Sequence, residues 1–180
     1  MRGTIRCVDS AVLLTFDELR VVVDPFRRES LLPGGGGLSL AEVIPPHMTV
    51  ASPACPEPVS ELAGGRLREA VEGLHQFSLR FSEVGTFRQG TVFIAPDRSA
   101  DLDRLLARVG EGFAEFGGVR RDHVWHLSVA RRGGAQLAAR FRASFEPVIV
   151  TVASVSIWTQ EVAGSPWSLR HAVRLADPAR

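Results

Sequence analysis

The same order of segments runs through this chain twice, and that order limits what it can fold into. Each half reads as a strand, a helix, a strand carrying a histidine, a second helix and a further strand. Ala11 and Thr91, which open or precede the first apolar runs, stand 80 positions apart; His47 and His126 stand 79 apart. The helix starts near Val59 and Gly133 differ by 74, which leaves room for one shorter linker. Identity between the halves is slight, so the repeat rests on order, spacing and one shared tetrapeptide. A duplicated unit of mixed strands and helices predicts an α+β chain of two lobes related by a pseudo-twofold axis. The first repeat covers about 10–85 and the second about 90–175 of one bilobed domain, residues 1–180. Equivalent histidines then face each other at the junction, where clefts tend to form.

The strands and helices come from hydrophobic periodicity. Ala11-Val12-Leu13-Leu14 is a buried strand. Thr15 stands three residues before Glu18, a capping-box pattern, and predicts a helix through Leu19 and Val22 that Pro25 interrupts or restarts. Gly34 to Gly37 read as a mobile connection rather than a phosphate cradle, because no strand precedes them. Pro45-Pro46 lead into His47-Met48-Thr49-Val50, which Pro53, Pro56 and Pro58 close off. A helix is expected from about Val59 to Leu74, and Phe77, Leu79 and Phe81 alternate as a half-buried strand. The second half gives a strand at Thr91 to Ile94 and a helix from about Ala100 to Phe116, ended by Gly117-Gly118. It continues with a strand at Val124 to Val129 and a helix after Gly134. Val148 to Trp158 reads as one long strand, and Leu169 to Leu175 as the last.

Composition removes several chemistries. The 21 basic residues are all arginine, so a P-loop lysine, a Schiff-base lysine and a self-adenylating lysine are excluded. Cys7 and Cys55 stand apart and build neither a disulfide framework nor a zinc cluster. A formal net charge of +1 points to a local cleft rather than a broad basic face for any nucleic-acid partner. Met1 to Ser10 carry no signal-like apolar core, and no run approaches the ~20 apolar residues of a membrane span; a cytoplasmic location is expected.

The chemistry sits in the paired tetrapeptides His47-Met48-Thr49-Val50 and His126-Leu127-Ser128-Val129. Each is histidine, apolar, hydroxyl, apolar. On a strand, alternate side chains share a face. His47 with Thr49, and His126 with Ser128, are therefore offered to the cleft while the apolar residues are buried. Two imidazoles can act as general base and general acid near neutral pH, and two hydroxyls can donate to non-bridging phosphate oxygens. His123 falls on the opposite strand face from His126, so a metal pair is not expected. His75 and His171 read as surface residues. Trp125, Trp158 and Trp167 read as packing residues, although the last two could line a base pocket. Arg120-Arg121 read as a solvated turn, and Phe26 and Phe87 carry no decisive signal.

These residues resemble the two-histidine phosphoesterases, in particular the bacterial RNA 2′,3′-cyclic phosphodiesterase and 2′-5′ RNA ligase branch. The resemblance covers about Ser10 to Leu175 and is specific at the two motifs. It implies a bilobed α+β fold, with an antiparallel-rich sheet flanked by helices in each lobe and the active-site cleft between them. It implies hydrolysis of a 2′,3′-cyclic phosphate to a 2′-phosphomonoester, with reversible 2′-5′ ligation. It also implies catalysis without cofactor or metal by a monomer acting on an RNA end or small nucleotide, with no membrane and no obligate protein partner. His126 would be the base and His47 the acid, with Thr49, Ser128 and Arg131 on the phosphate. Regular strand alternation would instead turn Arg132 toward the histidine face, so both arginines stay in view. The chain departs from the family after the first motif, where Ala51-Ser52-Pro53 replace a common aromatic. Two other classes fit the sequence, a non-catalytic module binding nucleotides or RNA ends and a purely structural bilobed protein.

Overall fold

The computed structural model describes residues 9–31, 37–52, 61–114, 123–132 and 134–178. Cys7, Cys55, Pro53, Pro56, Pro58, Val59, Gly117-Gly118, Arg120-Arg121, Gly133 and most of the Gly34–Gly37 run lie outside them.

The fold is α+β, built on one eight-stranded sheet. Its strands are β1 (Asp9–Thr15), β2 (His47–Ala51), β3 (Phe77–Thr86), β4 (Val92–Pro96), β5 (Leu127–Ala130), β6 (Val148–Val152), β7 (Ser154–Gln160) and β8 (Ser168–Arg174). The spatial order is β6-β3-β4-β5-β2-β1-β7-β8, and every pairing is antiparallel. The helices are α1 (Arg20–Arg28), α2 (Leu40–Val43), α3 (Glu61–Val71), α4 (Ala100–Gly112) and α5 (Gly134–Ser144).

The order separates into two four-stranded series meeting at the histidine strands, β2-β1-β7-β8 and β5-β4-β3-β6. In the second series β3 holds the place that β7 holds in the first. The halves of the sequence and the halves of the sheet therefore do not coincide, because the third strand of the first half pairs with β4 and β6. The expected single strand over Val148 to Trp158 is two strands separated by Ala153. One lies at an edge of the second series and the other inside the first. A chain that passes between them in one residue requires the sheet to curl.

Alternation decides which face is dry. Val12, Leu14, Met48, Val50, Leu127 and Val129 are buried in the main core. Leu67, Leu105, Val109 and Phe141 of the helices join the same core. A smaller cluster on the other face gathers Ala11, Leu13, Leu40 and Ile44, with Trp158 and Trp167 packed against it.

Two helix-start expectations are corrected. Thr15 does not cap a helix, because it ends β1 opposite His47, and a single 3-10 turn at Asp17–Leu19 leads into α1. The capping box of this region is Ser39 with Glu42, whose carboxylate accepts from the Ser39 amide at 2.8 Å. Pro25 lies inside α1 without ending it. The carbonyl that it leaves without an amide partner belongs to Val21, whose side chain is 82% exposed, so water can serve it.

Phe141 anchors α5 on the sheet, fully buried, with its ring edge-on to Phe26 at 4.9 Å and near Phe145 at 5.4 Å. Phe141→Ala is expected to cost about 3–5 kcal/mol of folding stability, as large-to-small core changes of this kind do; urea denaturation measures it.

Candidate active site

The site is created by one backbone pairing. β2 and β5 meet antiparallel with Met48 opposite Leu127. Continuing that register one residue each way sets His47 opposite Ser128 and Thr49 opposite His126. Each histidine thus neighbours the hydroxyl of the other motif, with opposed Cβ atoms about 4.5–5.5 Å apart. The two histidines are diagonal neighbours, about 7–8 Å apart by the same geometry. Met48 and Leu127 are fully buried beneath them, while all four polar side chains are half-buried at the cleft.

Both imidazoles are held alike. His47 Nδ1 donates to the Pro45 carbonyl at 2.8 Å, and His126 Nδ1 donates to the Val124 carbonyl at 2.8 Å. A carbonyl only accepts, so the proton is on Nδ1 and Nε2 is the nitrogen left for chemistry. Sequence reasoning missed these orienting groups, because a main-chain carbonyl two residues back leaves no signature in residue identity.

The surroundings of the two rings differ. His126 is walled by Phe87, edge-on at 4.8 Å, and Phe93, at 5.7 Å; these two rings stack at 4.3 Å. Phe93 stands opposite Ser128 on β5 and opposite Gly85 on β3. A Cβ at Gly85 would lie 2.2 Å from the Phe93 ring, so glycine there lets the ring lie flat across the neighbouring strand. The Phe87 side chain comes from the β3–β4 hairpin, which is closed by hydrogen bonds from Phe87 N to Thr91 O and from Gly90 N to Phe87 O.

His47 stands over a buried ion pair. Arg27 is 0% exposed; its Nη1 donates to Asp24 at 2.8 Å and its Nη2 to the carbonyls of Leu40 at 3.2 Å and Ile44 at 2.6 Å. Arg27 therefore fastens the end of α2 just before Pro45-Pro46 deliver His47. Burial pushes the guanidinium below its usual range, with Asp24 acting the other way. His47 is half-buried by surface area yet lies deep among protein atoms. Desolvation pushes its pKa down from 6.5 to about 4; the Pro45 carbonyl opposes this, while the charges of Arg27, Arg131 and His126 reinforce it.

Arg131 is the cation that the cleft holds in common. The cleft has two arms, and Thr49, Ser52 and Arg131 line both. The arm beside His47 encloses about 370 Å³ and the arm beside His126 about 690 Å³. Regular alternation would have turned Arg132 inward, but β5 ends at Ala130. The chain then bends, and Arg132 takes a left-handed backbone with φ of 55°, backing onto Gly90. Ser30 at the end of α1 fixes the Arg131 backbone from both sides: Arg131 N donates to Ser30 Oγ at 2.8 Å, and Ser30 Oγ donates to Arg131 O at 3.1 Å. His123, expected on the opposite strand face from His126, precedes β5 and lines the same arm, where it meets Trp125 edge-on at 4.4 Å. Trp167 lines the His47 arm, whereas the Trp158 indole donates to Ser156 at 2.9 Å within the small cluster. His75 and His171 lie away from the cleft, on the Asp177 carbonyl and against Gly64 of α3. Among the described residues no group of three or more histidine, cysteine or acidic side chains is arranged to hold a metal ion, and no helix is long and apolar enough to cross a membrane.

Paired histidines and hydroxyls on, or directly before, the central strands of a curled antiparallel sheet define a two-histidine phosphoesterase fold. The sequence profile of the 2′-5′ RNA ligase superfamily matches residues 15–164, and the chain belongs to that family. Among solved structures it is similar to a phosphoesterase at 16% identity and a TM-score of 0.67, covering 93% of this chain and 98% of that one. It is similar to E. coli LigT, solved with NADP+, at 15% identity and 0.64, covering 95% and 99%; that protein has also been solved with 3′-AMP and with ATP. A protein of Thermus thermophilus matches at 14% and 0.64, covering 96% and 100%. No curated protein matches in sequence.

Gly85→Ala is expected to drive Phe93 toward His126, costing about 1–3 kcal/mol by overpacking and disturbing the site; Tm and the His126 side-chain NMR signals report the two effects. A second expectation concerns acid. The folded pKa of His47 is depressed, so between about pH 6.5 and 4 the unfolded chain binds a proton that the folded chain refuses, and stability falls as pH drops through that window. His47→Gln lacks this term. The stability difference between the variant and the parent protein should be constant above about pH 6.5 and shift in the variant's favour below it, as denaturation at stepped pH would show.

Proposed function

We propose that this protein is a phosphodiesterase that opens 2′,3′-cyclic phosphates on RNA ends or nucleotides and leaves a 2′-phosphomonoester. The observation that carries the reading is the Met48–Leu127 register. It puts two imidazoles, each with Nε2 presented for chemistry, on either side of a site flanked by Thr49, Ser128 and Arg131. Family membership supports the same class of chemistry.

The step balances within these groups. A water oxygen attacks phosphorus as His47 Nε2 takes its proton. The bond from phosphorus to the 3′ oxygen breaks in line, and His126, entering protonated, gives that oxygen its proton. Thr49, Ser128 and Arg131 hold the non-bridging oxygens, whose charge must be stabilised at the transition state. Solvent then takes the proton from His47 and restores the one on His126. A 5′-hydroxyl in place of water gives a 2′-5′ phosphodiester by the same route. The resemblance gave the base role to His126; the depressed pKa of His47 supports the reverse assignment, because a base must start unprotonated.

The test is incubation with EDTA against a nucleoside 2′,3′-cyclic phosphate and an RNA ending in one, with chromatography of the products. A 2′-phosphate is expected. His47→Ala and His126→Ala should each lower kcat by about 10²-fold or more while keeping the circular dichroism of the parent protein. With His47 as base, kcat/KM should fall on its acid side only below about pH 4. Nucleotide binding without product, or full turnover in either variant, would overturn the proposal.

A further inference from the structure

The His47 arm of the cleft is built to hold more than phosphate. Its floor is the cleft face of β1, where Ala11 and Leu13 are buried with Leu40 and Ile44, and the Trp167 ring forms a wall. The Trp167 amide donates to the Val43 carbonyl at 2.8 Å, which fixes that wall to α2. The arm's volume of about 370 Å³ lies in the range of small-ligand sites. It starts at His47, Thr49 and Arg131 and ends at Asp9 and Gln160, which face each other in the β1–β7 register. Leu13 stands opposite Thr49, and Asp9 lies four residues further along β1, about 13 Å away at the rise of a strand. That span suits a nucleoside whose phosphate stays at the histidines.

Two side chains at the far end carry acceptors. A carboxylate only accepts hydrogen bonds. Gln160 is 8% exposed, and its Nε2 donates one hydrogen to the Ser165 carbonyl at 2.6 Å, which orients the amide; its carbonyl oxygen can accept from a ligand. The end of the arm therefore offers the Asp9 carboxylate as a paired acceptor, with the Gln160 carbonyl oxygen beside it. Guanine alone among the standard bases carries two adjacent donors on its pairing edge, the N1 hydrogen and the N2 amino group. Adenine and cytosine place a ring acceptor beside their amino group, and uracil flanks its single donor with two carbonyls.

We propose that the His47 arm is a guanine-selective subsite, with Asp9 bidentate on guanine N1 and N2, Gln160 accepting beside it and the Trp167 ring against the base. This deepens the reading of the cleft as a phosphodiesterase site and rests on it for the position of the phosphate. It assigns to this chain a preference for guanosine at the cyclic phosphate.

Binding of the product nucleotides separates this from the reaction itself. Calorimetry would compare guanosine 2′-monophosphate with its adenosine, cytidine and uridine counterparts on the intact protein. The guanosine compound should bind about tenfold or more tightly than the others, in line with the discrimination of a bidentate contact. Asp9→Asn, which turns one acceptor into a donor at constant shape, should bring that ratio close to one. Asp9→Glu, which keeps the carboxylate, should retain a preference for guanosine. Equal affinities for the four nucleotides, no binding by any of them, or an Asp9→Asn variant that still selects guanosine would overturn the subsite. Turnover with equal affinities would remove only the base assignment, and selective binding without turnover would remove only the reaction.

Discussion

The site depends on the pairing of β2 with β5 at Met48 and Leu127. This contact joins the two four-stranded series into one sheet. It buries the apolar member of each motif and lays the polar members side by side on the other face. Side-chain direction on a strand has a period of two, so a slip of one residue in either strand would bury a histidine and expose a core residue. The pairing is therefore specified by the full burial of Met48, Val50, Leu127 and Val129. Core packing and active-site geometry are enforced by the same four positions. Gly85 and Phe93 extend this logic to the next strands, since the ring that walls His126 lies flat only over a residue without a side chain.

Arg27 and Asp24 set the electrical character of the His47 side. A buried arginine is destabilising unless its donors are matched; here Asp24 and two main-chain carbonyls accept three hydrogen bonds from Nη1 and Nη2, while Nε is buried without a partner. The carbonyls are those of Leu40 and Ile44, at the two ends of α2, so the same guanidinium fastens the segment that leads into His47. Ser30, one turn further on, fixes the backbone of Arg131. The end of α1 thus governs both a histidine of the first motif and the arginine that follows the second. This places the two sides of the cleft under common control although 84 positions separate His47 from Arg131.

Much of this was legible in the sequence. Alternation located the strands of both motifs and turned Met48, Val50, Leu127 and Val129 to the buried face, although β5 starts at Leu127 rather than Val124 and leaves His126 just before it. Other features were not legible. Strand pairing is non-local, so nothing in Phe77 to Phe81 revealed that β3 joins the second series. A single alanine at position 153 separates β6 from β7 without glycine or proline to mark it. Local patterns also compete: Thr15 and Glu18 match a capping box as well as Ser39 and Glu42 do, but the pairing of Thr15 with His47 claims it for the sheet. The burial of Arg27 leaves no trace in the residue pattern, because its partners Leu40 and Ile44 contribute only carbonyls. Arg131 reached the cleft, against regular alternation, because the strand stops one residue earlier.

The cations around His47 do two things in sequence. In the free protein, Arg27 and Arg131 add to desolvation and hold the imidazole neutral. In the proposed reaction a phosphodiester entering the cleft would bring a negative charge close to Arg131 and the ring. That charge offsets the same cations, so it raises the affinity of His47 for a proton. In the proposed mechanism the base is thus unprotonated when substrate arrives and becomes a better proton acceptor once the substrate is in place. A site whose histidine was simply exposed would start partly protonated near neutral pH and would gain less from the arriving anion, because water would screen both effects. Desolvation, reinforced by the charges of Arg27 and Arg131, is what gives His47 this behaviour, and in the proposed mechanism His126, walled by Phe87 and Phe93 instead, takes the complementary role.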